Sequence, residues 1–207
     1  LEPDSRGVSI MAALDEVPGY ELNGVLGTGA CGVVYRAVQT TLGRPVALKT
    51  VRVSAATPPD LLTRFDLEAV ALARLQHPNI VAVYDCGHTG GRAFFAMELL
   101  AGDDLAAALS RDGPLPERVA WLIARQTAAA LEHAAKHGVI HRDVKPANLF
   151  LVDAPTGFPL PSGVPMVKVT DFGLALTLRG PDGADPTEAA AGVFIGTPVY
   201  MPPEQFH

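Results

Sequence analysis

A two-lobed α+β fold is predicted for this chain, and three observations predict it. Short strand-like runs separated by turn residues fill the first half; a single helical stripe interrupts them; and beyond Gly102 the apolar spacing becomes helical. The chain has 207 residues, of which 48% are hydrophobic, enough to bury a core in one domain or in two small lobes.

Residues 1–17 read as a linker or arm. Residues 20–26, 33–38 and 45–53 are rich in β-branched and apolar residues and are joined by turns, which predicts an antiparallel meander. Over 60–75 the period changes, with Leu61, Phe65, Glu68, Leu72 and Leu75 three and four residues apart. That spacing predicts a helix preceded by Pro58 and Pro59 and capped by Asp60. Two further strands are expected at 80–84 and 93–100. A helix should start at Pro116 and Glu117, carry Val119, Leu122, Ile123, Gln126, Ala130, Leu131 and Ala134 on one face, and stop at Gly138. Residues 153–165 hold four prolines and two glycines and predict a surface loop, and 178–192 is again loop-like. The boundary between lobes is expected near 99–102. This gives an arm at 1–17, a β-rich lobe at 18–100 and a helical lobe at 101–207.

Composition narrows the function. The net charge is −6 and the pI about 5.4, with no basic block, which argues against a nucleic-acid partner. Cys31 and Cys86 have neither metal-ligand spacing nor the density of a disulfide framework, so two reduced thiols in a cytoplasmic protein are expected. No run approaches the ~18 apolar residues of a membrane helix, and the first residues lack a signal-peptide core. Because the first residue is not Met, the chain reads as a fragment, and its parent could carry an anchor or sensor elsewhere.

The chemistry-bearing residues come in order. Gly27-Thr28-Gly29-Ala30-Cys31-Gly32 lets backbone N–H groups approach phosphates, and the β-branched residues after it favour a hairpin over a helix. Taken alone, it is equally an ordinary glycine-rich turn. Lys49 ends the apolar run Val46-Ala47-Leu48. Glu68 on the helical stripe needs a partner or water, and Lys49 is the natural candidate. His141-Arg142-Asp143-Val144-Lys145-Pro146-Ala147-Asn148 gathers a carboxylate, two cations and an amide into eight residues. Such a loop can accept a proton, neutralise phosphate charge and ligate a hard cation. Asp171-Phe172-Gly173 follows an apolar run and offers a second oxygen ligand beside Asn148.

These segments together resemble the eukaryotic-type serine/threonine protein kinases, and within them the bacterial branch. The resemblance runs from about Tyr20 to the last residue and includes Arg64-Phe65, His77-Pro78-Asn79-Ile80-Val81, Gly196-Thr197-Pro198-Val199-Tyr200-Met201 and a Pro-Pro-Glu ending at Glu204. It implies a bilobal kinase-like fold and ATP-dependent phosphorylation of Ser/Thr hydroxyls on protein substrates in bacterial signalling. By similarity, Gly27, Thr28, Gly29 and Gly32 would cover the ATP phosphates, and Lys49, steadied by Glu68, would hold the α- and β-phosphates. Val34 and Ala47 would roof the adenine and Phe150 would floor it. Met97 would be the gatekeeper, Glu98 to Leu100 the hinge, and Asp104 would reach the ribose. Asp143 would take the hydroxyl proton, Lys145 would stabilise charge on the transferred group, and Asn148 and Asp171 would bind Mg2+, with Mn2+ as an alternative. Arg142 would grip a phosphate on the activation segment. Thr187 is the expected autophosphorylation site, and Thr197 the threonine that touches Asp143. Lys145 with Thr197 implies Ser/Thr rather than Tyr specificity, and trans-autophosphorylation would bring two copies together as a dimer.

Two departures stand against the family pattern. Loop 153–165 is longer than the usual turn, and the sequence ends three residues after Glu204, where the family continues into further helices. The competing expectation is therefore a nucleotide-binding scaffold without phosphotransfer. A pseudokinase usually lacks the equivalents of Lys49, Asp143 or Asp171, and all three are present.

Overall fold

The computed structural model describes residues 17–29, 32–53, 59–172 and 200, with the side chains at 29, 52, 59–62, 64, 65 and 68 outside that set. Within the described residues the first half is a five-stranded antiparallel sheet. Its strands are β1 (Tyr20–Gly29), β2 (Gly32–Gln39), β3 (Arg44–Arg52), β4 (Val83–Thr89) and β5 (Arg92–Glu98), in the spatial order β1-β2-β3-β5-β4. Helix α1 (Pro59–Ala73) connects β3 to the segment that precedes β4.

Strand alternation gives the sheet two faces. Val46 and Leu48 of β3 join Ala37, Phe94 and Ala96 in one apolar cluster, with Val17, Tyr20, Leu22 and Tyr35 around it. Val51 of β3, with Ala93 and Phe95 of β5, faces the other way and meets Ala69, Leu72 and Leu75. Lys49 has the parity of Val51, so the strand delivers it to the second face. Register shifts in β1 at Leu22/Gly24 and Val25/Gly27 mark bulges that curl its end. Gly32 is required where β2 begins: its φ is +118°, and a Cβ there would lie 1.9 Å from the Thr50 carbonyl oxygen.

The second half holds a small sheet of β6 (Gly102–Asp104), β7 (Leu149–Val152) and β8 (Met166–Val169), together with α2 (Leu105–Asp112), α3 (Glu117–Lys136) and a 3-10 turn (Pro146–Asn148). Helix α3 buries Ile123, Gln126, Thr127, Ala130 and Ala134, one stripe at three- and four-residue spacing. On its opposite side Trp121 is 69% exposed. The two halves share one core, in which Leu72, Phe95 and Val51 continue into Leu105, Ile123, Leu149, Val167 and Phe172.

Three expectations change. The strand expected at 80–84 begins only at Val83; Ile80 and Val81 are buried against β8 instead, with Val81 N–H donating to the Val169 carbonyl at 3.0 Å and Val169 N–H to the Asn79 carbonyl at 2.9 Å. Their apolar character reflects that docking rather than pairing in the large sheet. Asp60 lies inside α1 rather than capping it, because Pro59, whose φ is already helical, takes the first position. The strand expected at 93–100 ends at Glu98. The loop at 153–165 is mostly exposed, as its prolines and glycines imply.

Candidate active site

Cross-strand register assembles the sheet's contribution. Val34 lies opposite Lys49, and Lys49 opposite Phe95; one step along, Ala47 lies opposite Met97. Residues directly opposite share a face. Val34, Ala47, Lys49 and Met97 therefore form one patch on the face toward the helical half, with Gly27 paired to Val34 at its rim. Glu98, next along β5, commits its carboxylate elsewhere. Its Oε2 accepts from Lys168 Nζ at 2.8 Å and from the Ala82 N–H at 3.3 Å. The main chain at 98–100 is what remains for the hinge contact expected there.

The second group of polar residues lies in the 141–148 loop of the helical half. Asn148 Nδ2 donates to the Asp143 carbonyl at 2.7 Å and to Asp143 Oδ2 at 3.1 Å, and Lys145 Nζ lies 2.8 Å from the same Oδ2. The 3-10 turn that follows Lys145 brings Asn148 back over Asp143, and Asn148 is buried. Because its amide nitrogen is committed to Asp143, its amide oxygen is the atom left to act as an acceptor. Across the gap, Lys49 Nζ lies 2.6 Å from Asp171 Oδ1. That contact ties the five-stranded sheet to the segment after β8.

The backbone is strained at two of these places. Arg142 has φ 64° and Asp171 φ 56°, left-handed values that cost a non-glycine residue about 1–3 kcal/mol and persist only where the surroundings enforce them. The enforcing group is His141, which is 3% exposed. The Asp143 N–H donates to its Nδ1 at 3.2 Å, so the ring hydrogen sits on Nε2, which donates to the Thr170 carbonyl at 2.9 Å. The His141 ring also packs on Phe172, with centroids 4.6 Å apart. One neutral imidazole thus joins the loop of Asp143 to the segment of Asp171. Burial is the main reason its pKa is lowered, offset in part by the Thr170 hydrogen bond and the nearby carboxylates.

A second polar knot holds β8. Asn79 Nδ2 donates to the Val167 carbonyl at 2.8 Å and to Gln126 Oε1 at 3.0 Å; Gln126 Oε1 also accepts from Val167 N–H at 3.0 Å, and its Nε2 donates to the Pro165 carbonyl at 3.1 Å. Asn79, Gln126 and Lys168 escaped the sequence reading of the site. Gln126 was legible only as a polar residue on an apolar stripe, and Lys168 only as a strand lysine.

The remaining expected residues fall as follows. Asp104 Oδ1 accepts from Ala107 N–H at 2.9 Å and so caps α2. Phe150 sits on β7 between Asp104 and Lys168. Glu68 lies within α1, its side chain outside the described part, as are Thr187 and Thr197. Asn148 and Asp171 supply an amide oxygen and a carboxylate, hard donors of the kind that suit a divalent cation held beside phosphates.

The protein kinase domain family matches residues 20–206, so the chain belongs to that family. It is 40% identical over 187 residues to the serine/threonine-protein kinase pkn3 of Myxococcus xanthus, covering 90% of this chain and 33% of that protein. It is 38% identical over 191 residues to the serine/threonine-protein kinase PknA of Mycobacterium tuberculosis, covering 90% of this chain and 41% of that protein. Among solved structures, the M. tuberculosis PknI kinase domain aligns with a TM-score of 0.66 at 30% identity, over 86% of this chain and 66% of that one. The chain thus spans between a third and about two fifths of these two curated relatives. The family uses ATP and a divalent metal ion.

Proposed function

We propose that this chain carries the nucleotide and catalytic machinery of a bacterial serine/threonine protein kinase, transferring the γ-phosphoryl group of ATP to a Ser or Thr hydroxyl of a protein. The observation that carries the reading is that Lys145 and Asn148 both meet the Asp143 carboxylate, while Lys49 of the five-stranded sheet reaches Asp171 in the segment that His141 ties to the Asp143 loop.

In this reading the patch of Val34, Ala47 and Met97 encloses the adenine, with Phe150 below it, Leu100 and the main chain of Glu98 at the hinge, and Asp104 toward the ribose. The glycines at 27, 29 and 32, with Thr28, lie over the phosphates, and Lys49 holds them, with Glu68 as its support. Asp143 accepts the proton of the incoming hydroxyl. That oxygen forms a bond to the γ-phosphorus as the bond to the β–γ bridging oxygen breaks, and ADP leaves. Lys145 offsets negative charge on the transferred group. Asn148 and Asp171 would hold Mg2+, or Mn2+, which supplies charge neutralisation at the phosphates. Most of the acceleration comes from positioning and fixed charge. Arg142 and Thr187 are proposed for activation-segment control, and Thr197 for contact with Asp143.

Transfer of labelled γ-phosphate to a Ser/Thr protein substrate is the test, with Asp143→Asn as control. Ser/Thr labelling lost in the variant is expected; nucleotide binding without transfer by the folded wild-type protein would overturn the reading.

A further inference from the structure

Three imidazoles lie in a row, ring beside ring. His77 precedes the docked 78–81 segment, and its ring centroid lies 5.1 Å from that of His133 on α3; His133 in turn lies 4.4 Å from His137, just beyond the helix end, with interplanar angles of 35° and 37°. His77 Nδ1 accepts the Asn79 N–H at 3.1 Å, and His137 Nδ1 lies 2.8 Å from the His133 carbonyl. His133 Nε2 is buried and makes no hydrogen bond among the described residues.

We propose that this stack is an acid-sensitive latch: its neutral rings seat the 77–81 segment on α3, and protonation loosens that segment and, through its hydrogen bonds to β8, the position of Asp171. The rings touch one another, so a charge on one is felt by its neighbours. A proton on His133 Nε2 would be a buried donor with no acceptor, which is costly. From β8, Lys168 faces His77 with a positive charge, itself held by Glu98 of β5 at 2.8 Å. On α3, Glu132 is drawn away to Lys136 at 2.6 Å. The pKa of His77 is correspondingly lowered, first by burial and then by His133 and Lys168. The connection to the site is short. Asn79 holds the Val167 carbonyl, Val169 N–H holds the Asn79 carbonyl, and Thr170 and Asp171 follow directly. Among the described residues no three His, Cys, Asp or Glu groups are placed to hold a metal ion, so the stack is read as a proton switch.

The functional consequence rests on the nucleotide-facing role given to Asp171, so two readouts are needed. The first is a histidine-ring NMR titration and the thermal midpoint of the chain from about pH 7.5 to about pH 5.5, for wild type and for His133→Leu/His137→Leu. The second is affinity for a fluorescent ATP analogue over the same range. Expected are a His77 ring that titrates below the ordinary histidine range and whose titration moves when His133 and His137 are replaced, and a several-fold acid loss of affinity that the double variant does not share. A wild-type His77 that titrates at the ordinary histidine value would overturn the latch, even if the variant fails to fold. Parallel acid losses in both proteins would overturn it too. If neither protein binds nucleotide at any pH, the kinase reading fails, while the titration and the midpoints still decide the latch.

Discussion

Asp143 is held by three neighbours: the Asn148 amide, the Lys145 ammonium and, through its own N–H, His141. Asp143→Asn keeps the shape and removes the proposed proton acceptor. The expected outcome is a fall in kcat of roughly 10²–10⁴, the range for general-base removal, with the thermal midpoint little changed; labelled-phosphate kinetics beside a melting curve check both. Gly32 is constrained differently. A Cβ there meets the Thr50 carbonyl, in a backbone conformation that favours glycine. Gly32→Ala is expected to cost about 1–3 kcal/mol of stability in urea denaturation, since relief requires β2 to move off β3.

At the scale of elements, the polar knot under β8 is the instructive case. Gln126 satisfies Asn79, the Val167 N–H and the Pro165 carbonyl at once. Gln126→Leu would leave a buried N–H without its acceptor and is expected to cost about 1–3 kcal/mol, read from the denaturation midpoint at unchanged m-value. Helix α3 was legible because its stripe is regular and its start and stop carry Pro116 and Gly138. The 80–84 run was misread because apolar residues announce burial without saying against what, and only the parallel contact of Ile80 with Val169 decides it. In the same way, the motif residues declared which chemistry to look for. The lysine–carboxylate contact between Lys49 and Asp171, separated by 122 residues, is a product of topology that no local spacing encodes.

At the scale of the whole molecule, among the described residues two histidines have lowered pKa values and contribute to the acid side of the stability curve. His141 and His77 are both depressed chiefly by burial. Between their folded values and the unfolded value of about 6.5, the unfolded chain binds more protons, so stability rises with pH through that window and is lost as pH falls through it. Thermal midpoints should therefore drop on acidification below about pH 6.5 and level off above it. The pairing of Lys168 with Glu98 spans the two halves from β8 to β5. Lys168→Met is expected to cost roughly 1–3 kcal/mol and, if the proposed hinge role of 98–100 holds, to raise the KM for ATP more than it lowers kcat, because Glu98 would lose its partner.

The single tryptophan of this chain has an optical consequence. Trp121 is 69% exposed on the face of α3 turned away from the core. Its emission should already be red-shifted in the native protein and open to iodide quenching, so it would report unfolding poorly. A blue shift with loss of quenching would instead signal that another surface has come to lie on that face, giving a label-free reporter of association.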